Sequence, residues 1–148
     1  MTHVHFYQLL GDQAHTNLYA LNLACRLANK ACRQNQKALI YCKDNTVIQE
    51  LESLLWQHIP TSFLAHSQSP SDKAPLYLCS NDEPGEYHDL LINLETETPH
   101  WFGRFQNLAE IIYGNEHQTQ TKRERFTFYK HRGYPLEFSK IQPESSAS

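Results

Sequence analysis

The chain has 148 residues and a net charge of −3, and its hydrophobic and aromatic contents of 40% and 11% are those of a globular domain rather than a disordered segment. No apolar run approaches the roughly 20 residues that span a bilayer. The N-terminal MTHVHFYQLL lacks the basic start and the small-residue cleavage site of a secretory signal, so we expect a cytoplasmic protein without a membrane partner.

Strands and helices alternate in the first part of the chain. Residues 4–10 predict a strand, and Thr16 or Asn17 can cap a helix that runs to about residue 34. Residues 38–42 form a short apolar run, which is typical of a strand that is buried on both faces. A second helix is predicted from Asp44 or Asn45 up to Pro60. The apolar residues that give the first helix its spacing are Leu18, Leu21, Ala24, Cys25 and Ala28.

The second part of the chain continues the alternation. Strands are predicted at residues 76–79, 88–94 and 108–113, with a turn or helical corner at 99–105. A last helix is predicted from about residue 116 to 131, where Gly133 and Pro135 stop it. Together these elements predict a single three-layer α/β domain over residues 4–141 with a central, mostly parallel sheet. Residues 142–148 are polar and are predicted to form a mobile tail.

The loops carry no nucleotide-binding or nucleophile motif. The turn after the first predicted strand contains Gly11 as its one glycine, and it fits neither GxGxxG nor a Walker loop. No GxSxG elbow is present. The cysteines form no CxxC pair, which favours buried, reduced thiols over disulfides or a zinc site, and we expect no cofactor. They are Cys25, Cys32, Cys42 and Cys79.

Two groups of titratable residues leave an enzyme as an alternative. Glu95 and Glu97 follow a predicted strand, where α/β enzymes often place catalytic groups, although an acidic turn is more often a solvated loop. His3 and His5 alternate on a strand and so share a face that can coordinate a metal, but the spacing shows no third ligand. The alternative is an α/β enzyme of nucleotide or nucleic-acid metabolism that uses the two acids.

Positive charge gathers at residues 122–132, which hold five basic residues and one acid in a chain that is acidic overall. On a helix, Arg123, Phe126, Thr127 and Lys130 share a face. That face suits an anionic, partly apolar ligand such as a short acidic peptide, because Arg pairs with carboxylates while the ring contacts an apolar side chain. The alternative is a solvated basic helix whose aromatic side chains face the core.

Direct binding of single-stranded DNA is another alternative for the same helix. Phe126, Phe128 or Tyr129 would then stack on bases. Phosphate binding strengthens with the number of neutralised charges, and the rest of the chain is acidic. An acidic peptide therefore suits the helix better than DNA does.

A second candidate contact surface combines the end of the second predicted helix with the segment after it. Leu54, Leu55 and Trp56 are followed by Phe63 and Leu64 across a turn that contains proline, serine and threonine. Exposed Trp and Phe side chains are good anchors for a protein interface. The alternative is a Trp side chain that folds over the core.

Taken together, the order and spacing of several motifs resemble the chi subunit of bacterial DNA polymerase III holoenzyme over about residues 4–138. Each motif is weak alone, but their arrangement is specific. The motifs are Phe6-Tyr7, Lys37 before Ala38-Leu39-Ile40-Tyr41-Cys42, Leu54-Leu55-Trp56, Phe63, His66, Asp89-Leu90-Leu91-Ile92-Asn93-Leu94, Arg123-Glu124-Arg125-Phe126, Tyr129 and Gly133-Tyr134.

The resemblance implies a nucleotide-binding-like topology without a phosphate loop and a protein that is not an enzyme by itself. It implies a clamp-loader accessory subunit in DNA replication that acts as an adapter between two partners. One partner is the psi subunit of DNA polymerase III. The other is the acidic C-terminal tail of single-stranded-DNA-binding protein (SSB), which ends in Phe and makes the association with DNA indirect.

Site residues also follow from the resemblance. Family position places the SSB-tail site at Arg123, Phe126 and Thr127, with Lys122 and Lys130 as further cations. The family often has Tyr at the position of Phe126 and Lys at that of Thr127, so this chain lacks a hydroxyl and a charge there.

This chain also differs from the family one helical turn earlier, where it has Thr119 at a position that is basic in the family. The psi surface implied by the family includes Trp56, Phe63 and Leu64, and we add Leu55 to it.

Overall fold

The computed structural model describes residues 1–57, 66–69 and 74–142. These ranges contain seven β-strands, three α-helices and a 3-10 helix. The strands are β1 (His3–Leu9), β2 (Ala38–Tyr41), β3 (His66–Ser67), β4 (Leu76–Cys79), β5 (Leu90–Asn93), β6 (Asn107–Ile112) and β7 (Leu136–Ile141). The helices are α1 (Gln13–Arg33), α2 (Asn45–Gln57), the 3-10 helix His100–Arg104 and α3 (Glu116–His131).

All strands join one sheet in the order β3-β4-β2-β5-β6-β1-β7, and every pairing is parallel. One apolar cluster packs α1 and α2 against a face of the sheet. A second cluster, rich in aromatic side chains, packs α3 and the 3-10 helix against the other face. The predicted α/β fold with a mostly parallel sheet is therefore confirmed, and the sheet is parallel throughout. β2 is buried at all four positions, as its continuous apolar run predicts.

The ends of α3 follow from local chemistry and match their prediction. The Asn115 side chain accepts the Gln118 amide N–H at 2.9 Å, and Gln118 Oε1 accepts the Asn115 N–H at 2.8 Å, so a complete capping box starts the helix. Beyond its other end, Gly133 has φ +78°, a left-handed conformation that glycine adopts without strain. These two features define a helix that is sixteen residues long.

Three sequence predictions differ from the structure. α1 begins at Gln13, because the Thr16 N–H already bonds to the Asp12 carbonyl at 3.0 Å, so Thr16 and Asn17 lie inside the helix rather than capping it. Leu18 shares the apolar spacing that predicts the first helix, but its side chain is 58% exposed rather than buried with the others. β3 and β7 were not predicted at all.

The psi-site residues 63 and 64, and all but the first residue of the predicted tail, lie outside the described ranges.

All four cysteines are free thiols, and Cys42 and Cys79 are buried. Burial raises the pKa of Cys25 and of Cys42 to about 12, so both thiols stay protonated near neutral pH. None of the described helices is both long enough and apolar enough to span a membrane.

Candidate functional site

A buried polar cluster anchors α3 to the sheet. The Lys122 ammonium donates to Glu110 Oε1 at 2.5 Å, and the same carboxylate accepts from Asn93 at 2.8 Å, Thr98 at 2.5 Å and the Tyr129 hydroxyl at 3.2 Å. Burial, followed by the charge of Glu110, raises the pKa of Tyr129, so its hydroxyl stays a donor. A buried carboxylate is stable only when it is paired and hydrogen-bonded, and this one has four donors.

The cluster corrects the prediction that Lys122 belongs to an external anion site. Its side chain is 3% exposed, and its ammonium is committed to Glu110. Lys122 and Tyr129 lie seven residues apart and therefore share the face of α3 that points to the sheet. This orientation places the residues between them on two flanks of the helix.

One flank of α3 carries the other four predicted residues of the SSB-tail site. Arg123, Thr127 and Lys130 are exposed, and Phe126 is half-buried. The Thr127 hydroxyl donates to the Arg123 carbonyl at 3.5 Å, so Thr127 is tied to its own helix. The predicted sharing of a face by these residues is confirmed, since α3 is helical over all of them.

Phe138 of β7 completes this flank, and sequence reasoning missed it. Its ring is 39% exposed and packs edge-on against Phe126, with centroids 5.5 Å apart. Beneath both rings lies the fully buried Phe6 of β1, 5.4 Å from Phe126 and 6.3 Å from Phe138. We call the set Arg123, Phe126, Thr127, Lys130 and Phe138 the α3–β7 surface.

The cations of the α3–β7 surface are available to a ligand. Among the residues that the structure describes, neither Arg123 nor Lys130 forms an ion pair. Lys140, which shares the α3-facing side of β7 with Phe138, is also exposed and without an ion pair in those ranges. Three unpaired cations around two partly exposed rings can therefore bind an anionic group that carries an apolar side chain.

The opposite flank of α3 is arranged differently. The Arg125 guanidinium lies 4.0 Å from the centroid of Phe128 and 4.9 Å from that of Tyr129, and Arg132 lies 4.8 Å from Phe128. Tyr129 is fully buried. Of the three rings proposed for base stacking, Tyr129 is buried and Phe128 is covered by guanidinium groups, which leaves Phe126 as a single partly exposed ring. Stacking of single-stranded DNA on this helix gains no support from the structure.

The second predicted surface is only partly described. Trp56 is 64% exposed at the end of α2, and its ring meets His66 edge-on with centroids 6.1 Å apart. Leu55 points the other way and is 2% exposed, which corrects its assignment to a partner-binding surface. Phe63 and Leu64 lie outside the described ranges. Trp56 is therefore the exposed aromatic side chain among the described residues of this surface, and its role as an interface anchor stays a prediction.

Glu95 and Glu97, the two acids that follow β5, take part in hydrogen bonds that stabilise turns. Glu95 Oε2 accepts the Lys43 amide N–H at 3.0 Å and faces the Cys42 thiol at 3.4 Å, which ties the turn after β2 to the turn after β5. Glu97 is exposed, and its carbonyl accepts from the Asn93 amide at 3.2 Å. The Cys42 thiol beside Glu95 is buried and its pKa is raised, so it is not an activated nucleophile, and the geometry of the two acids gives no support to the enzyme alternative.

His3 and His5 do share a face of β1, as predicted, and both approach Glu137 of the neighbouring strand. The distances from Glu137 Oε2 are 3.8 Å to His3 Nε2 and 3.2 Å to His5 Nδ1, and Ser139 Oγ lies 2.8 Å from His5 Nε2. Burial lowers the pKa of His5. No set of three or more His, Cys, Asp or Glu residues within the described ranges has a metal-binding arrangement. The pair therefore links β1 to β7.

The sequence profile of the family described as "DNA polymerase III chi subunit, HolC" matches residues 1–137, which is nearly the whole chain. The chain belongs to this chi family. The chi subunit of Pseudomonas aeruginosa is 36% identical over 138 residues, which cover 93% of this chain and 95% of that protein. The chi subunits of Escherichia coli and Haemophilus influenzae are 26% and 28% identical, and they cover 92% and 77% of this chain. The alignments span 96% and 82% of those two proteins.

Membership of the chi family confirms the resemblance that the sequence motifs indicated. It assigns the chain to DNA polymerase III and to DNA replication. The α3–β7 surface uses residues 123–130, which fall inside the matched range, and Phe138 lies one residue beyond it.

Proposed function

We propose that this chi-family chain is a non-catalytic clamp-loader accessory subunit that bridges two proteins. The α3–β7 surface binds the acidic C-terminal tail of SSB, and the surface around Trp56 binds the psi subunit. Its association with DNA is then indirect, through SSB. The observation that carries the proposal is that Arg123 and Lys130 flank the Phe126–Phe138 pair without an ion pair in the described ranges.

The chemistry of the tail matches the α3–β7 surface. A peptide that is acidic and ends in Phe presents side-chain carboxylates, a terminal carboxylate and one ring. Arg123 can hold a carboxylate with two parallel hydrogen bonds, which fixes its position as well as adding energy. The terminal ring of the peptide then packs against Phe126 and Phe138, whose edges are partly exposed.

Ion pairs alone do not give useful affinity at this surface. An exposed pair contributes about 0–1 kcal/mol, whereas micromolar binding needs about 8 kcal/mol. Burial of the peptide's ring must supply much of the remainder, at about 25 cal/mol per Å² of apolar area. Phe126 and Phe138 therefore matter as much as the cations do.

Because this chain has threonine at two positions that are often basic in the family, other residues must supply the positive charge of the site. Thr127 carries no charge, and the Thr119 hydroxyl donates to the Asn115 carbonyl at 3.0 Å, so it is used inside the helix. Lys122 is buried and cannot replace them. Two exposed lysines of the described residues can supply charge here, Lys130 on the same flank of α3 as Arg123 and Lys140 on β7.

Replacing Arg123 with alanine is expected to weaken binding of the SSB tail about tenfold or more, because the bidentate partner of a carboxylate is lost. Folding should be unchanged, since the side chain is exposed. Fluorescence anisotropy with a labelled tail peptide measures the affinity, and circular dichroism checks the fold. Arg33→Ala, an exposed arginine in the last turn of α1, is the charge-matched control. Equal affinities of the two variants would refute the assignment of Arg123.

Replacing Trp56 with alanine is expected to reduce capture of psi while leaving tail binding unchanged. Truncation of an exposed aromatic anchor at an interface commonly costs about 2 kcal/mol or more. A pull-down with psi and a tail-peptide titration on the same preparation measure the two activities. Gln57→Ala, the next exposed residue of α2, is the control. Loss of both activities, or of neither, contradicts two separate surfaces.

A further inference from the structure

β7 leaves one main-chain edge of the sheet open. It is the last strand in the sheet order, and no strand in the described ranges pairs with its outer side. All six of its residues are at least partly exposed. At the opposite edge of the sheet, the described part of the chain provides the two residues of β3, which offer little main chain to a partner.

The register with β1 decides which groups of β7 point outward. The Val4 N–H bonds to the Pro135 carbonyl, and the Leu10 N–H bonds to the Ile141 carbonyl. Because main-chain direction alternates along a strand, the odd-numbered residues of β7 bond to β1. The N–H and C=O groups of Leu136, Phe138 and Lys140 therefore face away from the sheet.

The same three residues place their side chains on the α3 side. Leu136 and Phe138 pack with the aromatic cluster beneath α3. The outward main chain of Phe138 and its partly exposed ring thus belong to one continuous face with Phe126 and Arg123. A peptide that lies extended along the edge of β7 can therefore contact the cations and the two rings along its whole length.

We propose that the acidic peptide binds by strand addition, as an eighth strand along the outer edge of β7, with alternate side chains on the α3 side. The inference rests on the proposed function and specifies its binding mode. Main-chain hydrogen bonds to Phe138 and Lys140 supply contacts that do not depend on sequence, and Arg123 and the two rings supply the selectivity. An extended acidic segment that ends in a ring fits this division.

Charge favours an acidic peptide over a second copy of the chain. Arg123 and Lys130 lie on the flank of α3 that carries Phe126, whose ring contacts Phe138, and Lys140 lies on β7 itself, so two copies joined along this edge would bring these cations together. Lysine on an edge strand is a common means of preventing such self-association. Carboxylates on an incoming strand would instead be attracted.

The first test is a scan of a short acidic peptide that ends in phenylalanine, with one main-chain amide N-methylated at a time. Strand addition predicts an alternating pattern, in which methylation of every second amide weakens binding about tenfold and methylation of those between has little effect. Each affected amide loses a hydrogen bond and gains a methyl group at the strand edge. If the unmodified peptide binds but tolerance is uniform along it, strand addition is wrong and the proposed function stands. If the unmodified peptide does not bind, both fail.

The second test measures the effect of peptide binding on the main-chain amides of β7. Hydrogen exchange at the amides of Phe138 and Lys140 is expected to slow when peptide is added, while Glu137 and Ser139 are protected with or without it. Protection of Phe138 and Lys140 in the free chain that rises with its concentration would show pairing between two copies and overturn the proposal.

A pair of variants isolates one main-chain donor. Lys140→Pro and Lys140→Ala both remove the ammonium, but only proline removes the outward N–H. Strand addition predicts that proline weakens binding by about a further fivefold, and equal affinities would contradict it. The N-methyl scan gives the answer independently if the proline variant does not fold.

Discussion

Replacing Lys122 with methionine is expected to lower the free energy of unfolding by about 3–5 kcal/mol. The change leaves the fully buried Glu110 carboxylate without its cation, while the three remaining donors from Asn93, Thr98 and Tyr129 stabilise it only in part. Methionine fits the volume of the lysine stem, so loss of packing contributes little. Urea denaturation followed by circular dichroism measures the effect.

Lys130→Met is the matched control for this prediction, because it makes the same chemical change at an exposed position of the same helix. Its effect should stay within about 0.5 kcal/mol. In the double variant of Lys122→Met and Glu110→Gln, neither charge is buried, so the loss should be smaller than the sum of the two single losses. A Lys122→Met variant as stable as Lys130→Met would show that the ion pair does not anchor α3.

The position of α3 was accessible from the sequence, but the orientation of one of its lysines was not. Asn115, Gly133 and the spacing between them define the helix. Lys122 looks like its neighbours in a basic stretch, because helical spacing alone does not show which cation points inward. The usable signal was Glu110, a lone acid within an apolar strand, since a carboxylate in that position needs a buried partner.

The missing half of the α3–β7 surface has a different cause. β7 follows Pro135, has no continuous apolar run and is partly exposed at every position, so it lacks the pattern of a core strand. It pairs with β1 across about 130 residues of sequence, and nothing local indicates that Phe138 meets Phe126. The cations of the site could thus be predicted from helix periodicity, whereas its second ring required the topology of the sheet.

Replacing Phe6 with alanine is expected to lower the free energy of unfolding by about 3–5 kcal/mol and also to weaken binding of the acidic peptide. Phe6 is fully buried, and its ring contacts Phe126, Tyr129 and Phe138. The cavity left beneath the two surface rings removes their common support. They can then sink or reorient, which separates the apolar contact from Arg123.

Phe105→Ala separates the two effects. Phe105 is 2% exposed and belongs to the same aromatic cluster, but its ring lies against Trp101 rather than beneath α3–β7 surface residues. It should cost similar stability and leave the peptide affinity within about twofold of the parent chain. Both affinities are measured at a temperature where circular dichroism shows each variant folded, and Phe6→Leu serves if Phe6→Ala does not fold.

Equal peptide affinities for the Phe6 and Phe105 variants would mean that the two surface rings do not depend on the ring below them. A weaker affinity for the Phe6 variant alone would connect a buried side chain of β1 with the binding surface. The reason is that Phe6 is the one fully buried ring that contacts both Phe126 and Phe138 among the ring contacts of the described residues. Phe6 would then contribute both to the stability of the fold and to peptide binding, because its ring packs directly beneath the two rings of the binding surface.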